Sequence, residues 1–591
     1  MSALIQRRPH ATLVEADFAE DLSPLLRRLF AARGAQSSDD IDLSMSSLLA
    51  PNLLHGIDPA VDLIIAAIES DARILIVGDF DADGATSCAL AIRAFDAMGH
   101  SNVRFIVPNR FEYGYGLTPE IVELAKQQSP SLIITVDNGI SSIEGVSAAR
   151  AAGIDVLVTD HHLPGEQLPD ANVIVNPNQR ACDFPSKALA GVGVIFYVMS
   201  ALRAGLRKKQ WFSDQRPEPN MADFLDLVAL GTVADVVPLD KNNRILVEQG
   251  LRRIRSGKSC AGIRALIEVS GRSAAKLVAS DMGFALGPRL NAAGRLDDIS
   301  IGIGCLLTDD AALARDIATE LDSMNRDRRQ IEQGMQVQAD AALEKLEQQP
   351  NTDMPIGLCL FDESWHQGVV GILASRVKDR YQRPVICFAL ANDSEDCVDL
   401  KGSARSIKGF HVRDALDAVA ARHPGLIEKF GGHAMAAGLS LKRESFDAFA
   451  QAFNIEASRQ LSDEDLQSKI ISDGGLDAAE ISIDNALLIN YAMPWGQQFP
   501  EPAFDNEFTV VQQRIVGGKH LKLVLKAVHG LSSDNQNTNS DIIDAIAFNV
   551  DIKIWPDDSV NTVTAVYRLD INRYRGRETV QLIVEHLEKV S

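Results

Sequence analysis

The 591-residue sequence has little cysteine and no long uncharged apolar run. Its 7 cysteines are scattered without Cys-x-x-Cys spacing, which argues against a disulfide framework and against a thiolate zinc site. No segment approaches the roughly eighteen apolar residues of a membrane span, and the start of the chain lacks the apolar core of a signal peptide. A cytoplasmic protein with no membrane association is therefore expected.

Positive charge is also scarce. The formal net charge of −22 weighs against a protein whose whole surface coats nucleic acid, because phosphate binding depends on positive charge. Basic segments remain at 251–258, 325–330 and 571–577, and each is either part of a local binding groove or a solvated face. The length predicts a multidomain protein, with roughly four domains as the prior.

Five short apolar runs in the first part of the chain predict buried strands. They are bounded by Gly, Pro, Asn and Asp and lie at 73–77, 103–107, 131–136, 155–158 and 172–175. Helical stretches such as 84–99 and 141–153 lie between them. This alternation predicts a parallel sheet with helices on both faces, whose ligands bind beyond the carboxyl ends of the strands.

Acidic and histidine residues follow three of these strands. They are Asp79, Asp81 and Asp83 after the first, Asp137 after the third, and Asp160, His161 and His162 after the fourth. A further acid, Asp235, ends a predicted helix. Each group alone could be a turn or a helix N-cap, but three groups at strand ends of one sheet favour a shared site. Carboxylate oxygens with imidazole nitrogens suit a pair of Mn²⁺ or Mg²⁺ ions.

The motifs DFDADG, TVDNG, VTDHH and GTVADVVPL, in this order and spacing, resemble those of the DHH phosphoesterase superfamily. The motifs GPRLNAAGRL (287–296), GSARS (402–406) and KFGGHAMAAG (429–438) extend the resemblance to its single-strand-specific 5′→3′ DNA exonucleases. The resemblance implies an α/β fold class. A parallel-sheet DHH domain would be joined by a long helix to a second α/β domain (DHHA1), followed by a C-terminal OB-fold β-barrel.

The expected domain borders follow from the resemblance and from pattern changes along the chain. They are 1–45 for an N-terminal segment without a readable motif, 46–305 for the DHH catalytic domain, 306–348 for the connecting helix, 349–462 for the DHHA1 substrate-binding domain, and 463–591 for an OB-fold-like single-strand-binding domain. Residues 309–348 have sustained helical periodicity, and the last section shows strand-like alternation.

The resemblance also implies a metal centre. Two divalent cations, Mn²⁺ preferred or Mg²⁺, would be held by Asp81, Asp83, Asp137, His161 and Asp235, with Asp137 as the bridging ligand. Asp79 belongs to the same cluster, and whether it ligates directly is open. His162 is expected to contact phosphate or an outer position rather than a metal. These residues, apart from Asp79, form the expected catalytic set, which would release 5′-mononucleotides by a two-metal-ion mechanism.

Substrate contacts are implied at three other motifs. Ser403 and Arg405 would hold a terminal 5′-phosphate with Arg289 as a helper, but Arg289 could equally pair with an acid in a helix-capping turn. Gly432 and His433 would bind phosphate or nucleotide at a helix start, or else form a tight strand-to-helix turn.

Aromatic and basic residues supply further candidates for a single-strand path. Residues 108–117 combine Arg110 with Phe111, Tyr113 and Tyr115, which suits backbone charge and base stacking but also fits ordinary core packing. The weaker candidates in the barrel are Arg514, Lys519, Lys522, Tyr574 and Arg575, which alternate as exposed strand residues would anyway.

The function implied is that of a single-stranded-DNA-specific 5′→3′ exonuclease in DNA repair and recombination. Its partners would be single-stranded DNA with a 5′ end, a single-stranded-DNA-binding protein and a RecQ-type helicase. One alternative is an oligonucleotide or cyclic-dinucleotide phosphodiesterase, which shares the metal motifs but usually lacks the barrel. Another is a non-catalytic single-strand-binding repair adaptor with a relic metal site, which is disfavoured because no ligand position is visibly lost.

Overall fold

The computed structural model describes residues 4–9, 17–108, 116–347, 354–392, 394, 397–528, 542–574 and 576–590. The chain divides into two compact units. The larger unit comprises Ile5–Asp322 and Ile471–Ser591, and the smaller unit is built mainly from Ser323–Ile470. Within the described part of the chain, no single helix is long and apolar enough to cross a membrane, although one bent pair, Met45–Leu53 with Ile57–Glu69, meets the test of length and composition.

Strands and helices alternate along most of the chain. The strands are β1 (Leu4–Arg7), β2 (Ile74–Val77), β3 (Val103–Ile106), β4 (Leu132–Val136), β5 (Asp155–Thr159), β6 (Val173–Val175), β7 (Leu358–Phe361), β8 (Val385–Leu390), β9 (Asp399–Arg405), β10 (Lys429–Gly432), β11 (Ala436–Lys442), β12 (Lys469–Ser472), β13 (Phe504–Val516), β14 (His520–Ala527), β15 (Ile542–Ala547), β16 (Thr562–Tyr574) and β17 (Arg577–Lys589). The α-helices are α1 (Pro24–Ala31), α2 (Ile57–Glu69), α3 (Ala82–Ala97), α4 (Pro119–Lys126), α5 (Ile143–Ala151), α6 (Gly191–Lys208), α7 (Leu225–Ala234), α8 (Lys241–Arg255), α9 (Ala261–Val269), α10 (Ala279–Asp281), α11 (Gly287–Leu296), α12 (Ser300–Leu307), α13 (Ala311–Glu347), α14 (Val370–Tyr381), α15 (Val412–Arg422), α16 (Phe446–Gln460) and α17 (Ile483–Ala492).

A parallel five-stranded sheet forms the first part of the larger unit, in the order β3-β2-β4-β5-β6. Leu75, Val77 and Ile133 pack with α4 and α5, while α3 and α6 supply other contacts with β4. Such covered strands are apolar on both sides, which is why their sequences read as continuous hydrophobic runs. The predicted parallel sheet is confirmed, and each predicted strand differs from the observed one by a single residue at one end.

The strand order creates a switch point between β2 and β4. From β2 the chain moves outward to β3 and then returns to β4 on the other side of β2. In sheets of this kind a crevice opens at the carboxyl ends of the two strands that flank the reversal, and ligands bind there. The loops that begin at Gly78 and Asp137 therefore border the crevice.

A closed barrel of strands β13-β14-β15-β17-β16 forms the C-terminal part of the larger unit. Strand β13 pairs with both β14 and β16 and so closes it. Leu521, Leu523 and Leu525 alternate along β14 and are fully buried, whereas the residues between them are more exposed. Inward apolar residues that alternate with outward polar ones are the pattern of a small barrel, and the predicted barrel is confirmed.

The smaller unit contains a mixed sheet in the order β10-β11-β9-β8-β7. Strands β7 and β8 are parallel, and the other neighbours are antiparallel. Val385 and Cys387 belong to a core formed with α13 and α14, whereas Phe388 and Leu439 belong to a second core formed with α15 and α16. The predicted second α/β domain and the long helix that leads to it are both confirmed.

The N-terminal segment, for which the sequence offers no motif, contributes α1 to the larger unit. The ring of Phe30 lies 6.0 Å from that of Trp495. Arg33 Nη2 lies 2.8 Å from Asp473 Oδ2, and the two side chains are 1% and 3% exposed. Arg33 Nε also donates to the carbonyl oxygen of Pro500 at 2.8 Å. The segment is thus held by buried contacts to the region just before the barrel.

Replacing Arg33 with Ala should lower the free energy of unfolding by about 3 kcal/mol, because it leaves a buried carboxylate without its main partner. The loss belongs at the lower end of the range for buried pairs, since Arg8 Nε remains 3.4 Å from Asp473. Urea denaturation of the variant measures the change. The control is Lys126→Ala, whose partner Glu123 is exposed, and it should change stability by less than about 1 kcal/mol. Equal losses in the two variants would contradict this account of the N-terminal segment.

Candidate active site

The acidic loop after β2 leads directly into the first turn of α3. Asp81 is the N-cap of that helix, and its Oδ1 accepts hydrogen bonds from the backbone N–H groups of Asp83 at 2.9 Å and Gly84 at 3.1 Å. Asn291 of α11 accepts another, from the N–H of Ala82 at 2.7 Å. A helix cap and a metal ligand are therefore compatible roles for Asp81, because the cap uses one of its two carboxylate oxygens.

Asp83 is buried against the N-terminus of α6. Its Oδ2 accepts from the N–H of Gly191 at 2.6 Å, and its Oδ1 accepts from that of Val192 at 2.9 Å. The dipole of the helix favours negative charge at this end. A Cβ on Gly191 would lie 2.6 Å from Asp137 Oδ1, so glycine is what lets α6 approach both carboxylates. Burial raises the pKa of Asp83 to about 7, and repulsion from Asp81 adds to the effect.

Asp137 lies at the centre of the cluster. It begins the loop after β4 with a φ of 63°, a left-handed conformation that aspartate tolerates better than most residues. Its Oδ1 lies 3.1 Å from His161 Nε2, which in turn lies 3.5 Å from Oδ2 of Asp235, the C-cap of α7. Burial raises the pKa of Asp137 and of Asp235 well above the ordinary range, and the neighbouring carboxylates raise both further.

The possible ligand atoms form three overlapping sets, each with all of its atoms within 4.8 Å of one another. The sets are Asp79, Asp81 and Asp137; Asp137, His161 and His162; and Asp83, His161 and Asp235. The second set links the first to the third, because it contains both Asp137 and His161. Buried carboxylates that repel one another are stabilised by cations, and their oxygens with imidazole nitrogen fit Mn²⁺ or Mg²⁺. The residues therefore suit the expected pair of divalent ions.

His162 has a carboxylate partner of its own. Its Nδ1 lies 2.8 Å from Asp160 Oδ1, and Asp160 Oδ2 accepts from the N–H of Ile140 at 2.8 Å. Although burial acts in the opposite direction, this hydrogen bond raises the pKa of His162 and lowers that of Asp160. Asp160, which sequence analysis left without a role, thus orients a histidine whose charged form suits a phosphate oxygen.

Arg289 pairs with an acid, as the structural alternative predicted. Its Nη2 lies 2.7 Å from Oδ1 of Asp322, although that acid lies on α13 rather than in a capping turn. The side chains of the pair are 9% and 17% exposed. The motif contacts the acidic loop through Asn291 instead, a residue that sequence analysis missed because nothing in a single sequence marks its partner. A phosphate contact by Arg289 stays a prediction.

Ser403 and Arg405 lie on one face of β9 in the smaller unit. Arg405 Nη1 donates to Ser403 Oγ at 3.0 Å and to the carbonyl oxygen of Ala404 at 2.8 Å. The first turn of α14 closes on the two residues, since a Cβ on Gly371 would lie 2.9 Å from Ser403 Oγ and 3.0 Å from Arg405 Nη2. A guanidinium, a hydroxyl and a helix N-terminus together suit a phosphate group. Sequence analysis missed Gly371.

Gly432 and His433 lie at a hairpin. Strand β10 ends at Gly432 and β11 begins at Ala436, and the N–H of His433 donates to the carbonyl oxygen of Ala436 at 2.8 Å. The expectations of a helix start and of a strand-to-helix turn were both wrong, because the chain reverses into an antiparallel strand. A Cβ on Gly432 would lie 2.5 Å from Ala437 Cα, so close approach of the strands requires glycine here. Phosphate or nucleotide contact stays a prediction.

The barrel candidates lie on its outer surface. Arg514 and Lys522 face each other across β13 and β14, and Lys519 lies in the turn between these strands. Lys522 Nζ lies 3.7 Å from Asp544 Oδ2. The remaining candidates cannot be placed in the same way. Arg110, Phe111, Tyr113, Tyr115 and Arg575 lie outside the described residues, and only the backbone of Tyr574 is described.

Comparison with known proteins accounts for all three parts of the chain. The sequence profile of the DHH family, N-terminal domain matches residues 73–232, the DHHA1 domain matches 355–458, and the RecJ OB domain matches 472–586. The chain is 54% identical to the single-stranded-DNA-specific exonuclease RecJ of Salmonella typhimurium, over 97% of each chain. It is 52% identical to that of Escherichia coli (strain K12), over 99% of this chain and 100% of the other. The chain belongs to the RecJ family.

Solved RecJ structures share this fold. RecJ from Thermus thermophilus in complex with Mn²⁺ matches with a TM-score of 0.78 and 28% identity, covering 100% of this chain and 79% of that one. The complex with Mg²⁺ matches with a TM-score of 0.73 and 27% identity, covering 100% and 78%. The resemblance that the DHH motifs indicated is therefore confirmed, and so is the three-part RecJ fold class.

Replacing Asp137 with Asn should abolish the stabilisation of the protein by Mn²⁺. At a metal concentration about 100 times the dissociation constant, each bound ion stabilises the fold by roughly 2.7 kcal/mol. Thermal unfolding with and without Mn²⁺ measures the effect. In EDTA the variant should be no less stable than the parent chain, since burial and four neighbouring acids already disfavour the charge on Asp137.

The matched control is Asp170→Asn, which removes an exposed carboxylate from the loop after the DHH motif. It should respond to Mn²⁺ like the parent chain. A full Mn²⁺ response in the Asp137 variant would exclude this residue as a ligand.

Proposed function

We propose that this protein is a divalent-metal-dependent exonuclease that hydrolyses single-stranded DNA. The observation that carries the proposal is the presence of two ligand sets at the carboxyl ends of the sheet, Asp79 with Asp81 and Asp137, and Asp83 with His161 and Asp235, each with its atoms within 4.8 Å of one another. The likeness to RecJ exonucleases over nearly the full length supports the substrate, and the RecJ complexes with Mn²⁺ and Mg²⁺ support a divalent cation of either kind. That two cations bind and that Mn²⁺ is preferred to Mg²⁺ is proposed from the family resemblance.

The residues that would hold the cations are Asp79, Asp81, Asp83, Asp137, His161 and Asp235. Divalent cations, when bound, supply Lewis-acid chemistry that lowers the pKa of water and offsets negative charge on a phosphate. The N-terminal N–H groups of α6 fix the orientation of Asp83. Asp160 fixes the ring of His162 by accepting from Nδ1, and by raising the pKa of His162 it favours the charged form, in which Nε2 also bears a proton and can donate to a phosphate oxygen.

The direction of digestion depends on which strand end is recognised. We propose that Ser403 and Arg405, next to the N-terminus of α14, hold a terminal 5′-phosphate and that the products are 5′-mononucleotides. Each step then breaks the bond between the 3′-oxygen and phosphorus, and the phosphate stays on the downstream nucleotide. Because Arg289 forms an ion pair with Asp322, we assign the main charged contact with the terminal phosphate to Arg405.

The barrel is also proposed to bind the single strand. Arg514 and Lys522 are like charges placed directly opposite each other, an arrangement that destabilises an antiparallel pair. Asp544 Oδ2 lies 3.7 Å from Lys522 Nζ and offsets part of this repulsion, and a phosphate lying between the two cations would offset the rest. The two cations therefore support a role in binding the strand.

The wider setting is proposed from the family resemblance alone. It comprises a cytoplasmic location, a role in DNA repair and recombination, and association with a single-stranded-DNA-binding protein and a RecQ-type helicase. The borders given for the N-terminal segment, the DHH domain, the connecting helix, the DHHA1 domain and the barrel domain remain proposals of the same kind.

A digest of a single-stranded oligonucleotide labelled at either end tests the activity. With Mn²⁺ or Mg²⁺ the protein should release 5′-mononucleotides from the 5′ end. No nucleotides should be released in EDTA, or by the Asp137→Ala variant with either metal. A duplex of the same sequence should survive. If long single strands survive while dinucleotides or cyclic dinucleotides are cut, the activity is instead that of a small-nucleotide phosphodiesterase.

Replacing Arg405 with Ala should remove the preference for a 5′-phosphorylated strand. Loss of a charged hydrogen bond costs about 1.5–3 kcal/mol, so KM for the phosphorylated strand should rise by roughly ten- to a hundredfold, toward that of a 5′-hydroxyl strand. KM for the 5′-hydroxyl strand itself should change little. The control is Arg413→Ala, which removes an exposed arginine of α15. Equal losses on both strands would argue against recognition of the terminal phosphate by Arg405.

A further inference from the structure

An open face of the smaller unit continues beyond Ser403 and Arg405. Strands β9, β11 and β10 pair in a register that aligns their residues in rows across the sheet. One row, called here the lysine row, consists of Lys401, Ser440 and Lys429; the adjacent row consists of Ser403, Gly438 and Gly431. Residues on the opposite face, such as Leu400 and Leu439, are buried in the core with α15 and α16. Both rows therefore point away from that core.

The row beside the lysine row is almost free of side chains. A Cβ on Gly431 would meet no atom within 4 Å, and one on Gly438 would meet only the carbonyl oxygen of Gly402, at 4.0 Å. Close packing therefore does not explain these glycines, in contrast to Gly432. They leave a flat floor of backbone between the lysine row on one side and Arg405 on the other.

The acids nearest to the two lysines of the row are paired with another residue, Lys442. Its Nζ contacts both Asp399 and Glu428, which are the acids nearest in sequence to Lys401 and Lys429. Among the residues that the structure describes, neither Lys401 nor Lys429 forms an ion pair. In a chain with a net charge of −22, these two lysines place local positive charge on either side of a serine hydroxyl.

The spacing of the rows fits a strand with repeated phosphates. Residues in adjacent rows are two apart along a strand, which is about 6.8 Å in an antiparallel sheet, so Lys401 lies two rows and about 13.6 Å along β9 from Arg405, the main contact proposed for the terminal phosphate. Neighbouring strands lie about 4.8 Å apart, so Lys401 and Lys429 stand roughly 10 Å apart, with Ser440 between them. Two flexible ammonium groups at that separation can converge on one phosphate.

We propose that the lysine row binds an internucleotide phosphate of the single strand, downstream of the bond that is cut. This inference rests on the proposed function. The ammonium groups of Lys401 and Lys429 and the hydroxyl of Ser440 hold the phosphate, and the glycine floor accommodates the sugar without a side-chain clash. The contact retains the shortened strand after each nucleotide is released and carries no base specificity.

The length of the substrate separates this site from the terminal-phosphate site. A 5′-phosphorylated dinucleotide has no phosphate beyond the bond that is cut, whereas a longer oligonucleotide has one or more. The Lys401→Ala/Lys429→Ala double variant should therefore hydrolyse the dinucleotide with an unchanged KM. Its KM for a long oligonucleotide should rise about tenfold.

The salt dependence of binding gives a second readout that needs no hydrolysis. Binding of a fluorescent single strand in EDTA, measured by anisotropy over a range of salt concentrations, should show a log–log slope lower by about 0.7 in the double variant, as loss of one phosphate contact requires. The Lys345→Ala control removes an exposed lysine of α13 and should leave the slope unchanged. Lys401→Arg and Lys429→Arg should preserve most of the affinity, because the cation is kept.

The outcomes distinguish this inference from the proposed function. If the parent chain neither digests nor binds single strands, both fail. If the parent chain digests single strands but the double variant keeps the parental slope and the parental KM for long strands, the lysine row is not a phosphate site and the proposed function stands. An equal rise in KM for dinucleotide and long strand would also overturn the inference, since it would place the lysines at the terminal phosphate or the scissile bond.

Discussion

Repulsion between buried carboxylates sets the requirements that the larger unit has to meet. Asp83, Asp137 and Asp235 are crowded together where burial alone already raises the pKa of each. The fold offsets part of that cost with the first N–H groups of α6, which donate to Asp83. The remaining repulsion is what divalent cations offset, so the same feature that destabilises the empty cluster provides its affinity for metal.

The arrangement of strands and helices brings these charged residues together. The loops after the parallel strands β2 and β4 border one crevice, because β3 is added on one side of β2 and β4 on the other. The N-termini of α3 and α6 and the C-terminus of α7 then add a cap, two N–H donors and Asp235. The smaller unit instead presents positively charged and hydroxyl side chains. Arg405 and Ser403 lie beside the N-terminus of α14, and the lysine row lies on the same face of the sheet. These groups suit recognition of a phosphate rather than its hydrolysis.

Local pattern was sufficient to predict the strands and the acids at their ends. Apolar runs bounded by turn residues identified the sheet, and the position of Asp137 after a strand placed it in the crevice. Contacts between distant segments were not predictable, because they depend on tertiary packing. Arg289 meets Asp322 on another helix, and Asn291 caps a loop that lies far away in sequence. At Gly432 a hairpin replaced the expected helix, since glycine permits both.

Anomalous scattering from crystals grown with Mn²⁺ would show whether the buried carboxylates share two ions. We expect two manganese peaks, roughly 3.5–4 Å apart, with the Asp137 carboxylate in contact with both. One ion should lie near Asp79 and Asp81 and the other near His161 and Asp235. A single peak, or two peaks of which only one contacts Asp137, would contradict the claim that the buried carboxylates are assembled to share a pair of cations.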